Sequence, residues 1–76
     1  MTPPQSLLRI GELSRRTGVS VELLRAWERR YGLVTPSRSA GGLRLYSLDD
    51  VERIRTMRDH LAAGLAAAEA ARLATR

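Results

Sequence analysis

The placement of glycine and proline constrains this 76-residue chain more than any other feature. Gly18, Gly32 and Gly64 each close a stretch with helical periodicity, where a left-handed residue ends a helix. Pro36 and the Gly41-Gly42 pair make residues 33–46 unfit for helix. The chain therefore divides into four short helices and one non-helical insert. Helix 1 reads 9–17, with Ile10, Leu13 and Thr17 on one stripe and Leu8 stapling Leu13, although Arg9 is a poor N-cap. Helix 2 begins after Ser20, a good N-cap. Val19 staples Leu24, and Leu24, Trp27 and Tyr31 recur at i, i+3, i+7. Two short helices across the tight Gly18-Val19 turn are the helix-turn-helix plan.

The insert reads as a short β-hairpin, or wing, with its tip at residues 39–42, because Leu43-Arg44-Leu45-Tyr46 alternates in period two behind the glycine pair. Two strands alone are marginal in water, so the wing must lean on the helices; Leu43 and Leu45 are the side chains expected to do so. Helix 3 starts at Ser47, with Ser47-Leu48-Asp49-Asp50 close to a capping box and Tyr46 and Val51 as its staple. Its buried stripe is Val51, Ile54, Met57, Leu61 and the stem of Arg58. Helix 4, residues 65–75, is alanine-rich and lacks an N-cap, so it depends on propensity and docking. The expected fold is mainly α: a winged helix-turn-helix of four helices with a short β-hairpin wing between helices 2 and 3. Residues 8–76 form one domain behind a disordered tail, residues 1–7.

Charge locates the function. Acids number 8 and basic residues 13, all of them arginine, for a net charge of +5 and a pI near 11.3. Codon bias in a GC-rich genome would also explain the missing lysine. Eight arginines against Glu12, Glu22 and Glu28 fall in residues 1–47, whereas five arginines balance five acids in residues 48–76. The whole excess thus lies in the first part, and a basic domain of this kind points to a polyanion. The sequence has no run of about eighteen apolar residues and no apolar run behind a positive start, which argues against membrane and secretion and for a soluble, cytoplasmic protein.

Enzymatic readings are weak. There is no cysteine, and His60 is the only histidine, with no Ser-His-Asp grouping around it. Asp49-Asp50 is explained by the cap and dipole of helix 3 without a metal. No glycine-rich phosphate loop occurs, so neither a metal nor a cofactor is expected.

The signal lies in the arginines of helix 2 and the wing. Arg25 and Arg29 are i, i+4 neighbours, Ser20 and Glu22 lie on the adjoining N-terminal turn, and Arg30 sits beside the row. The guanidinium fork suits both phosphate and guanine. A solvated face with Glu22 and Glu28 pairing internally is the plain alternative. Arg38 and Arg44 flank the wing tip, whose glycines permit close approach to a duplex, and this favours nucleic acid. Tyr46 either donates its hydroxyl to a phosphate or only staples helix 3. Trp27 is expected in the core.

Three stretches, Ile10–Ser20 (IGELSRRTGVS), Leu24–Gly32 (LRAWERRYG) and Arg44–Val51 (RLYSLDDV), resemble the N-terminal DNA-binding domain of MerR-family transcriptional regulators. The middle stretch is similar to the version in the B12-dependent photoreceptor repressors of the CarH and LitR type. The resemblance implies a bacterial winged helix-turn-helix that binds double-stranded promoter or operator DNA and distorts it, with helix 2 in the major groove and the wing on flanking backbone or minor groove. It also implies that Arg16 and Ser20 flank the DNA-facing turn, that Arg25 contacts the backbone, and that Arg44 and Tyr46 are the wing's arginine and tyrosine. Ala26 departs from the pattern, since many members carry a phosphate-contacting aromatic there. Members usually continue into a dimerisation helix and an effector domain, so the full-length protein is expected to be a homodimer. This chain, an excised domain or a small stand-alone member, is expected to be a monomer. Two further readings are an excisionase-like architectural DNA-binding protein and a module docking an acidic protein on the basic helix.

Overall fold

The computed structural model describes residues 7–75, and all but Leu7 of the tail expected to be disordered lies outside them. The elements are α1 (Ile10–Thr17), α2 (Val21–Tyr31), β1 (Ser37–Arg38), β2 (Arg44–Leu45), α3 (Leu48–Ala62) and α4 (Ala67–Ala74). This is the winged helix-turn-helix the punctuation predicts. Gly18 and Gly32 close α1 and α2 at φ 73° and 60°, where a Cβ would be strained. The Ser20 hydroxyl caps α2 by accepting the Leu23 N–H at 3.2 Å. Arg9 makes no side-chain cap to α1.

The capping box of α3 is complete. Asp50 N–H donates to Ser47 Oγ at 3.1 Å, and Ser47 N–H donates to Asp50 Oδ2 at 2.9 Å. The second Asp50 oxygen accepts from Arg53 at 3.1 Å, so this buried carboxylate is fully occupied. α4 begins at Ala67, two residues later than expected: Ala66 is its N-cap, extended and without a side-chain hydrogen bond to the helix.

The core joins Leu13 of α1, Leu24 and Trp27 of α2, Val51, Ile54 and Met57 of α3, and Ala70, Ala71 and Ala74 of α4. Small alanines let α4 lie close against α3. Arg58 does not bury with the α3 stripe; it stays exposed and donates to the Thr17 carbonyl at the end of α1, at 2.8 Å. That bond satisfies a C-terminal carbonyl α1 cannot pair within itself.

β1 and β2 pair antiparallel, Ser37 with Leu45 and Arg38 with Arg44. Ser39 N–H bonds the Leu43 carbonyl and Gly42 N–H bonds the Ser39 carbonyl, both at 2.9 Å. With Gly42 at φ 85°, this is a three-residue loop in which a turn is followed by one left-handed residue. The wing does not lean on the helices through Leu43, which is exposed, and Leu45 is only half-buried. It leans through Leu33, Val34 and Tyr46, all buried. The cause is a bridge ahead of α1: Leu8 and Tyr46 exchange two backbone hydrogen bonds of 2.7 Å, which fixes Tyr46 inward and sets the phase of the strand.

Candidate nucleic-acid interface

α2 and the wing converge on an open groove of about 310 Å³, lined by Arg9, Ile10, Arg25, Arg38, Gly42, Leu43, Arg44 and Tyr46. Four arginines from three parts of the chain therefore line one concavity. Arg25 comes from the middle of α2. Arg38 and Arg44 come from facing positions of β1 and β2, so their side chains leave the same face of the hairpin. Arg9 comes from the residue before α1. Like charges directly opposed across a hairpin are unfavourable; both side chains here are exposed, and Arg38 donates to the Gly42 carbonyl at 3.0 Å.

One carboxylate serves this cluster. Glu28, half-buried on α2, accepts the Tyr46 hydroxyl at 2.8 Å on Oε1, while its Oε2 lies 3.7 Å from Arg44 Nε. The period-two alternation that turns Tyr46 inward also turns Arg44 towards Glu28. Burial, with the hydrogen bond to Glu28 and the charge of that carboxylate, pushes the Tyr46 phenol up to about 12; Arg44 and Arg25 oppose the shift. The phenol is therefore a neutral donor at any ordinary pH. The phosphate contact expected of Tyr46 would require its bond to Glu28 to be exchanged.

The other residues singled out in the sequence lie outside the groove lining. Glu22, Arg25 and Arg29 form one exposed row along α2, and Arg30, also exposed, follows about 100° round the helix from Arg29. Ser20 uses its oxygen as the cap yet keeps its proton free to donate. Arg16 pairs with Glu12 at 2.8 Å, and Arg15 shares the same carboxylate; these two arginines hold Glu12 below the usual carboxylate range. Among the described residues, no acid lies within ion-pair distance of Arg9, Arg25, Arg29, Arg30 or Arg38. In the charge-balanced part, Arg53, Arg55, Arg58 and Arg72 are all paired.

One groove residue, Arg9, and the carboxylate beside the groove, Glu28, have little signal in the sequence. Arg9 registered only as a poor helix cap, although an uncapped arginine ahead of a helix in a basic half was itself a signal. Glu28 registered only as an internal partner for arginine; its link to the wing spans 18 residues and had no local trace.

Among the described residues no group of His, Asp or Glu is placed to hold a metal ion, and no helix is long and apolar enough to cross a membrane. Residues 8–76 match the family described as MerR HTH family regulatory protein. The HTH-type transcriptional repressor CarH of Myxococcus xanthus is 45% identical over 65 residues, 86% of this chain and 22% of that protein. The repressor CarA of the same organism is 51% identical over 49 residues, 63% of this chain and 17% of that protein. The regulator MlrA of Escherichia coli is 43% identical over 53 residues, 70% of this chain and 22% of that protein. The chain thus spans about a fifth of the length of these relatives. The similarity to CarH and CarA agrees with the subgroup to which the helix 2 motif pointed. With a family match over nearly its whole length and the convergent basic face on a winged helix-turn-helix, the chain belongs to the MerR family of DNA-binding transcription regulators.

Proposed function

We propose that this chain is the operator-reading domain of a bacterial MerR-type regulator. The observation that carries the reading is the convergence of Arg25 from α2 with Arg38 and Arg44 from the wing on one groove. In this reading α2 enters the major groove and offers Ser20, Glu22, Arg25 and Arg29 to base edges and backbone. Arg9, Arg38 and Arg44 take phosphates beside it, and Arg16 and Arg30 contribute to the surrounding positive field. Tyr46 anchors the wing from within. The role is binding, not catalysis, and its setting is the cytoplasm. The full-length protein pairs as a homodimer over two half-sites, while the 76-residue chain alone is a monomer reading one.

A salt titration of binding to promoter duplex tests this. Four arginine–phosphate contacts give log K a slope of about −3.6 against log salt. A flat response overturns the reading.

A further inference from the structure

Glu28 poses a problem that the DNA-binding reading leaves open. A carboxylate beside a groove built for a polyanion weakens that groove, yet Glu28 lies against Arg44. Every other ion pair among the described residues joins near neighbours on one helix; Glu28–Arg44 alone crosses from one element to another. Its two oxygens have separate tasks. Oε1 receives the buried Tyr46 hydroxyl at 2.8 Å, within good hydrogen-bonding distance. Oε2 holds Arg44 more loosely, at 3.7 Å, with the arginine side chain 44% exposed. The first contact is a short hydrogen bond to a buried hydroxyl; the second is a longer ion pair open to solvent.

Resting on the proposed function, we infer that Glu28 is a positioning residue that stands in for a DNA phosphate. In the free protein it keeps the Arg44 guanidinium aimed into the groove and shields it from Arg38, which lies opposite on β1. When a duplex docks, a backbone phosphate takes Arg44 from Glu28 while the Tyr46–Glu28 bond keeps the wing on α2. Binding therefore includes an exchange of one carboxylate for one phosphate, and the domain gives up part of its non-specific affinity. An arginine held in this way is offered fully only where a phosphate sits within its reach, which favours a duplex of matching shape.

The test is a double-mutant cycle in the whole chain, with a mixed-sequence 20-base-pair duplex as probe and fluorescence anisotropy at 50 mM salt as readout. Glu28→Gln keeps an acceptor for Tyr46 and removes the competing charge. It should bind the duplex roughly twofold to fivefold more tightly than the parent, the range expected for releasing a partly exposed pair. In an Arg44→Ala background, Glu28→Gln should bring no gain. An equal gain in both backgrounds would mean simple repulsion between Glu28 and DNA, and would overturn the inference. So would an unchanged or weaker Glu28→Gln, the behaviour of a merely structural residue. Thermal melts of all four proteins verify folding; should Glu28→Gln not fold, Glu28→Asp replaces it, and its shorter arm should release Arg44 and give the same background-dependent gain. If the parent shows no salt-dependent binding, the function proposed above fails instead, so the two failures are distinguishable.

Discussion

At the scale of single residues, what could be read in advance was whatever repeats locally. Leu24 and Trp27 recur at helical spacing and are buried, because the periodicity that builds α2 also decides which side chains face the core. Tyr46 was harder. Its neighbours allowed either a phosphate contact or a staple, and the deciding partners, Leu8 and Glu28, lie far away in the chain. The bond to Glu28 carries a pH signature. A phenol whose pKa rises on folding from its ordinary value to about 12 stabilises the fold fully below pH 10, and that contribution is lost as pH climbs towards 12. Urea midpoints measured from pH 8 to 12 should fall through this window in the parent. Tyr46→Phe should be about 1.5 kcal/mol less stable near neutrality, for loss of a hydrogen bond to a charged acceptor, and its midpoint should fall less between pH 10 and 12. Equal alkaline losses in both proteins would show that this hydroxyl does not couple to the fold.

Elements were legible in proportion to the chemistry at their ends. Ser20, Ser47, Gly18 and Gly32 are local signals that act through local backbone, and they fix α2 at both ends, α3 at its start and α1 at its close. α4 has no such signal, so its start could only be approximated. The wing shows the other limit. Alternation announces a strand but not which side faces the protein, and the bridge from Leu8 chose the face opposite to Leu43. The complete capping box makes α3 a suitable test. Ser47→Ala should cost about 1 kcal/mol, lowering the melting midpoint by roughly 4–8 °C in a domain this small. Ser47→Asp, which keeps an acceptor for the Asp50 N–H, should recover part of the loss despite crowding two carboxylates. If Ser47→Ala melts with the parent, the cap does not limit the stability of α3.

For the molecule as a whole, the charge imbalance between the two parts is both its most readable property and the one that separates function from scaffold. Arginine does two jobs here. In residues 48–76 it ties neighbouring acids and helix ends together, as Arg72 does with Glu69 and Arg58 with the Thr17 carbonyl. In residues 1–47 most arginines have no acid, and four reach one groove. A protein that only needed solubility would have no reason to segregate the two kinds. The difference is measurable as the number of counterions displaced from DNA. Arg25→Ala and Arg38→Ala should each make the slope of log K against log salt shallower by about 0.9, and the double variant by about 1.8. Arg72→Ala removes the same formal charge from α4 and should leave the slope unchanged while weakening binding only slightly. If Arg72→Ala flattens the slope as much as Arg25→Ala does, the domain answers to net charge alone and the groove has no special part in holding the duplex.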